Sequence, residues 1–304
     1  MTAKSGIFAA PMTPMRADLS VDLPRYVAHC RRLLDAGCHG LMPLGSTGEA
    51  HSLTVDERIA MMDALADAGL PMDTMLIGTS SLAWPDAVRM AQHATGLGAG
   101  GVCVQPPFYY KPPDDDALVD FFARVVDDVN DPRLRLYVYD WQPNLGVHLS
   151  LDLFERLFAA RSDNIVGIKD SSGDAEMLRQ RCAAFPDREV LAGTDSMILT
   201  GLRAGGSGAM SGISNIMPET TLALFADPKG ENGDARQARI DAALKIMRAA
   251  GWFASLKAAL VWLTGDDAWR HARPGIGRLD AEQERALIDG LSGLGLGPAK
   301  AAAE

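Results

Sequence analysis

The 304-residue sequence predicts an α/β fold, a (β/α)8 barrel of the TIM type with a carboxyl-terminal helical extension. Eight short apolar runs, each followed by a segment of helical spacing, recur about every thirty residues, and eight such units fit a barrel of about 250 residues. Turn-forming, polar or tyrosine residues recur at the carboxyl ends of the second, fourth, fifth, sixth and seventh runs, the rim on which barrel active sites are built. An open doubly wound sheet gives the same alternation, but no G-x-G-x-x-G follows the first strand.

The elements follow in order. Ile7-Phe8-Ala9-Ala10 is a strand stopped by prolines, and Leu23 to Ala36 is a helix closed by Gly37. Gly40 to Leu44 is the second strand, running into Gly45-Ser46-Thr47-Gly48-Glu49, and Thr54-Val55-Asp56-Glu57 is a capping box opening a helix to Ala68. Met75 to Gly78 precedes a helix from Pro85 to Leu97. Gly101 to Gln105 precedes a proline-rich loop and a helix from Asp115 to Val129. Leu134 to Tyr139 is the fifth strand, with Leu151 to Ala160 its helix. Asn164 to Asp170 is the sixth, with Asp174 to Ala184. Glu189 to Gly193 is the seventh, with Ile198 to Ala204, and Gly208 to Ser211 is the eighth.

Beyond Pro218 the pattern is helical only, with runs over Ala235 to Ala250, Trp252 to Leu263 and Ala281 to Leu291. The expected division is residues 1–218 as barrel core and site, 219–295 as final barrel helix and extension, and 296–304 as a disordered tail. Trp252, Phe253, Leu256, Leu260 and Trp262 are expected to be packing residues.

Composition narrows the function classes. Hydrophobic residues make up 47% and charged residues 22%, an ordinary globular balance. Net charge is −10, from 29 basic and 39 acidic residues, without a basic tract, which argues against nucleic acid and anionic membranes as partners. The four cysteines, Cys30, Cys38, Cys103 and Cys182, have no CxxC spacing, and no signal peptide precedes the first strand, so a reducing cytoplasm is expected. His29-Cys30 and Cys38-His39 lack a second matched pair, so no metal is expected there.

The sixth strand delivers Lys169 to its end and then breaks into Asp170-Ser171-Ser172-Gly173. Strict alternation puts Lys169 on one face with Gly167 and Ile165, with Val166 and Ile168 on the other and clear space beneath the amine. Desolvation at the mouth of an apolar barrel favours the neutral amine that condenses with a carbonyl to a Schiff base. A lysine snorkelling from a strand end is the bland alternative. Gly45-Ser46-Thr47-Gly48-Glu49 sets two hydroxyls between glycines, a compact carboxylate site or a plain helix-capping turn. Glu49 is expected to be structural. Tyr139 ends the strand neighbouring that of Lys169, about 5 Å away, where a phenol can relay protons. Tyr137 shares its face but lies deeper.

These residues carry a resemblance to the dihydrodipicolinate synthase and N-acetylneuraminate lyase family of class I aldolases. Its carriers are Gly45-Ser46-Thr47-Gly48-Glu49, Pro106-Pro107-Phe108-Tyr109-Tyr110-Lys111-Pro112, Tyr139-Asp140, Ile168-Lys169-Asp170 and Gly193-Thr194-Asp195, in order and at barrel spacing from Gly6 to Leu291. The resemblance implies a Schiff base between Lys169 and a 2-oxo acid, usually pyruvate, with Tyr139 as proton shuttle. It implies that Ser46 and Thr47 hold the carboxylate, Ser46 also serving the relay, and that Gly193 and Met210 line the pocket. Tyr109 would reach into a neighbouring subunit, which implies a homotetramer of two tight dimers. No metal or organic cofactor is implied, the lysine being the electron sink.

The chain departs from the family after the fifth strand. Dihydrodipicolinate synthases carry an arginine that grips the second substrate's carboxylate, and Asn144 stands at that place, offering neither charge nor a bidentate fork. Trp141 and Gln142 replace the usual small and proline residues, and Trp141 could face an apolar or aromatic aldehyde. The expected function is a Schiff-base lyase joining or cleaving a 2-oxo acid and an aldehyde, in the manner of a catabolic 2-oxo-3-deoxy-acid aldolase. The alternatives are a dehydratase on a 2-oxo-3-deoxy sugar acid, a genuine 4-hydroxy-tetrahydrodipicolinate synthase, and a non-catalytic pyruvate-binding sensor.

Overall fold

The computed structural model describes residues 4–111 and 114–298. Pro112 of the proline-rich stretch and the tail from residue 299 onward lie outside the described residues. The strands are β1 (Gly6–Ala9), β2 (Gly40–Leu41), β3 (Leu76–Gly78), β4 (Gly101–Val104), β5 (Leu136–Asp140), β6 (Ile165–Asp170), β7 (Glu189–Ala192) and β8 (Gly208–Ser211). They form one parallel sheet in the order β2-β1-β8-β7-β6-β5-β4-β3, and a parallel bridge from Leu41 to Met75 joins its two ends into a barrel. β2 is shorter than expected, because Pro43 has no N–H to pair and Leu44, at φ +59°, turns the chain out of the sheet.

The helices are α1 (Leu23–Asp35), α2 (Val55–Asp67), α3 (Trp84–Gly96), α4 (Asp115–Val129), α5 (Gln142–Leu145), α6 (Leu151–Ala160), α7 (Ala175–Ala184), α8 (Ile198–Arg203), α9 (Pro218–Ala226), α10 (Gly233–Ala250), α11 (Trp252–Thr264) and α12 (Ala281–Gly293). The capping box of α2 forms as expected, Glu57 N donating to Thr54 Oγ1 at 3.2 Å and Thr54 N to Glu57 Oε2 at 2.9 Å. The four-residue α5 was not expected. Pro143 stands in its first turn and Gly146, at φ +62°, closes it.

Regular alternation fails in β6. Leu136 pairs with Ile165 but Tyr137 pairs with Gly167, so Val166 is an extra residue, a bulge that turns consecutive side chains to one side. Val166 therefore joins Tyr137 and Tyr139 in the cluster that fills the barrel, while Ile165 and Ile168 pack in the outer core beneath the helices. The expected pairing of Ile165 with Lys169 on one face is wrong for this reason. The space expected beneath the amine is also filled: a Cβ on Gly167 would stand 2.9 Å from the Tyr137 ring.

α10 and α11 meet at 110° across Gly251, whose φ of +100° is strained for any side-chain-bearing residue. No single helix among the described residues is long and apolar enough to cross a membrane. A buried ion pair ties the extension to the barrel: Lys257 Nζ of α11 lies 2.8 Å from Glu49 Oε1 and donates to Thr13 O and His271 O, each at 3.0 Å. Burial pushes the Glu49 carboxyl up and the Lys257 amine down, and each charge opposes the shift of the other. Truncating one partner strands a buried charge, so Lys257→Ala is expected to cost about 3–5 kcal/mol of stability in denaturant melts, with the apolar double variant Glu49→Leu/Lys257→Met recovering much of it.

Candidate active site

β5 and β6 set the centre of the site. Their register pairs Tyr139 with Lys169 and Asp140 with Asp170, so the first pair faces the barrel mouth and the second faces the helices. Behind the sheet Arg181 of α7, wholly buried, donates Nη1–H to Asp170 Oδ2 at 2.6 Å, and Nη2–H to both Asp140 Oδ2 and Leu149 O, the latter at 2.8 Å. Burial raises the Asp140 pKa, the Arg181 charge opposes that, and Asp170 reinforces it. One guanidinium thus holds together the outer ends of the two strands that carry Tyr139 and Lys169. Arg181 escaped the sequence reading, although an arginine on the buried stripe of Leu178 and Cys182 was a visible signal.

Lys169 is 4% exposed. Its Nζ lies 3.8 Å from Met42 Sδ and 3.8 Å from the centre of the Tyr139 ring, and it makes no ion pair among the described residues. Tyr137 lies deeper and is committed elsewhere, its hydroxyl donating to the Glu189 carboxylate that also binds Arg135. Tyr139 thus stands next to the amine with its ring parallel to that of Trp141, centres 6.0 Å apart at 10°.

The turn after β2 is held under backbone strain at both ends, Leu44 at φ +59° and Glu49 at φ +60°. Thr13 Oγ1 donates to Gly48 O at 2.6 Å, and Gly78 N to Pro43 O at 2.8 Å. Only a glycine fits at 78, since a Cβ there would lie 2.1 Å from Leu44 O. The turn sets Ser46 and Thr47 on the cavity wall, and Ser46 Oγ is buried without a hydrogen-bond partner. Glu49 faces away toward Lys257, in the structural place expected of it.

One cavity of about 300 Å³ gathers Lys169, Tyr139, Ser46, Thr47, Gly193, Met210, Trp141 and Asn144. Tyr109 does not line it. That ring sits on the loop after β4, 70% exposed, next to Tyr110 at 87%. Other residues reach the cavity unexpectedly. Ser171 Oγ is buried and without a partner. Asp195 is buried, its Oδ1 accepting from Ser211 Oγ at 2.6 Å and its Oδ2 from Ile213 N at 3.1 Å; burial raises its pKa, and these hydrogen bonds and Arg248 oppose the rise. Trp252, Phe253 and Arg248 approach from the α10–α11 corner. The expectation that Trp252 and Phe253 only pack is corrected here: Leu256 and Leu260 are buried in the core, but the preceding turn of α11 faces the cavity. Gly212 admits the Trp252 ring, because a Cβ there would lie 2.8 Å from Trp252 Cζ2 and 3.1 Å from Thr47 Oγ1.

Among the described residues no group of three or more histidine, cysteine, aspartate or glutamate side chains is arranged to hold a metal. His29 Nε2 is engaged 2.7 Å from Asn215 Oδ1, and burial lowers its pKa to about 3. The free cysteines are buried, and burial raises the pKa of Cys103 to about 12.

A cavity floored by an uncompensated lysine, flanked by a tyrosine and faced by a hydroxyl-bearing turn suits condensation of an amine with a carbonyl followed by proton relay. The path of the Lys169 stem depends on Gly193, since a Cβ there would lie 2.2 Å from Ser171 Oγ and 2.9 Å from Lys169 Cγ. Gly193→Ala is expected to lower kcat about a hundredfold by displacing the amine, with about 1–3 kcal/mol of stability lost to overpacking; turnover assays beside thermal melts check it.

Comparison with known proteins shows the family and agrees with the fold. A sequence profile described as the dihydrodipicolinate synthetase family matches residues 3–293. An uncharacterized DapA-like lyase of Halobacterium salinarum is 36% identical over 294 residues, 96% of this chain and 94% of that protein. The crystal structure of dihydrodipicolinate synthase from Agrobacterium tumefaciens superimposes with a TM-score of 0.89 at 28% identity, covering 96% of this chain and 99% of that one. A prophage protein of the dihydrodipicolinic acid synthase family from E. coli K12, solved in complex with pyruvate, gives 0.87 at 29% identity with the same coverage.

Proposed function

The chain belongs to the dihydrodipicolinate synthetase family of lyases, and on that footing we propose that it joins or cleaves a 2-oxo acid, pyruvate or a close analogue, and an aldehyde through a Schiff base on Lys169. The single observation carrying this reading is the buried Nζ of Lys169, held against the Tyr139 ring and without an ion pair, beside the Ser46-Thr47 turn.

In the addition direction the amine attacks the C2 carbonyl, and the carbinolamine loses water to leave an iminium. Loss of a C3 proton gives an enamine whose carbon attacks the aldehyde, forming the new bond while the aldehyde oxygen takes up a proton. Hydrolysis releases product and returns the free amine. Tyr139 carries the protons, and Ser46 and Thr47 hold the oxo-acid carboxylate through hydroxyls and backbone N–H groups. Gly193 and Met210 shape the pocket around the three-carbon unit. Ser171, a buried hydroxyl without a protein partner, supports a substrate with a hydroxyl beyond the oxo carbon, as 2-oxo-3-deoxy acids have. Asn144 and Trp141 line the aldehyde side.

Intact-protein mass after incubation with pyruvate and borohydride is expected to show one adduct, mapped to Lys169, and Lys169→Ala none. Labelling of another residue, or of Lys169→Ala itself, sinks the Schiff-base assignment. Product analysis then separates lyase from dehydratase: pyruvate with an aldehyde, or loss of water at constant carbon count.

Exposure of Tyr109 outside its own cavity supports an assembly in which that ring completes the relay of a neighbour within a homotetramer. Tyr109→Phe is expected to lower kcat about a hundredfold while light scattering reports the same oligomer as the parent protein. Full activity in a monomeric protein removes this part of the reading.

A further inference from the structure

We propose that Arg248, at the corner between α10 and α11, binds an anionic group on the aldehyde partner, so that the substrates of this protein are acidic aldehydes and their adducts with the 2-oxo acid. The inference rests on the Schiff-base reading above and adds to it the charge of the second substrate.

Three observations carry it. First, Arg248 and Lys169 are the two cations on the cavity lining, and the Schiff-base reading assigns Lys169 to the oxo acid. Among the described residues the β5 side puts no positive charge on the cavity lining, since Asn144 and Trp141 are neutral and the Lys111 amine, beside Gly146, lies off that lining. Second, Arg248 has no ion pair among the described residues, although Asp195 is close enough for the arginine to oppose the rise in its pKa. The Asp195 oxygens are bound by Ser211 Oγ and Ile213 N, and among the described residues the Arg248 guanidinium donates to no side chain or carbonyl, so its donor fork is free for a ligand. Third, the arginine is placed by a built corner. The φ of +100° at Gly251 bends the chain by 110°, which brings the last turn of α10 and the first turn of α11 over the barrel mouth together. Trp252 is seated there against Gly212, where a Cβ would meet the indole at 2.8 Å, Thr47 Oγ1 at 3.1 Å and Asp195 Oδ2 at 3.5 Å.

A surface arginine in the last turn of a helix also suits the helix dipole, and that alone explains its residue type. It does not explain a place on the wall of the cavity. The positive charge missing at position 144 is thus supplied from a different element, and an acidic aldehyde can be gripped from the extension instead of from the loop after β5.

The experiment uses the full chain with pyruvate and two matched aldehyde pairs, succinate semialdehyde with butanal and 4-carboxybenzaldehyde with benzaldehyde. kcat/KM is measured for the parent protein, Arg248→Gln and Arg248→Lys, and borohydride trapping of pyruvate on Lys169 is followed in each. The parent is expected to prefer the charged member of at least one pair about tenfold or more. Arg248→Gln should erase about ten- to a hundredfold of kcat/KM for that member, mainly through KM, while the neutral member changes less than about twofold. Arg248→Lys should restore part of the loss, and trapping should be equal in all three. Trapping intact in the parent with no preference for charge, or with both members falling together in Arg248→Gln, overturns the role of Arg248 and leaves the Schiff-base reading standing. Absence of trapping in the parent overturns that reading and this inference with it.

Discussion

The buried Arg181 is the constraint on which the site depends. Its guanidinium sits behind the sheet between Asp140 and Asp170, the residues immediately after Tyr139 and Lys169. Side chains alternate along a strand, so fixing the outward residues fixes the directions of the inward ones. Two carboxylates share one guanidinium in a dry place, so removing either carboxylate changes the charge balance as well as the geometry. Losing the cation would strand two buried anions, at about 3–5 kcal/mol by the usual cost of breaking a buried pair.

Strain and ion pairing converge on the opposite wall in the same manner. The turn carrying Ser46 and Thr47 is bracketed by Leu44 and Glu49, both in left-handed backbone that costs on the order of 1–3 kcal/mol each. Glu49 is held there by Lys257 from α11. The helical extension therefore does more than cover the barrel: it anchors the turn through Lys257 and presents Trp252, Phe253 and Arg248 to the cavity from the preceding segment. A change in the extension is felt both at the Ser46-Thr47 turn and at the cavity rim.

The cavity divides accordingly. Its floor carries Lys169, Tyr139, Ser46 and Thr47, and its rim carries Trp141, Asn144, Arg248, Trp252 and Phe253. A shared floor under a variable rim is how a barrel keeps one chemistry and changes its partner.

Local chemistry made much of this legible in the sequence. Strand runs, glycine stops, the Thr54–Glu57 capping box, the strand-end positions of Lys169 and Tyr139 and the turn at Ser46-Thr47 depend on neighbours a few residues away, and the shared face of Tyr137 and Tyr139 follows from a period of two. What failed was decided by partners far along the chain. The bulge at Val166 exists only in the pairing of β6 with β5, and it reversed the face assigned to Ile165. The seats of Arg181, Ser171 and Gly212 depend on contacts across elements. Trp252 reads as a core residue because helical periodicity records a buried face without saying whether it meets packed side chains or a cavity. The sequence by itself determined the order of elements and the residues at the strand ends, because those are set by near neighbours; only the tertiary structure decided which distant side chains share the cavity with them, because that depends on register, on the turn at Gly251 and on closure of the barrel.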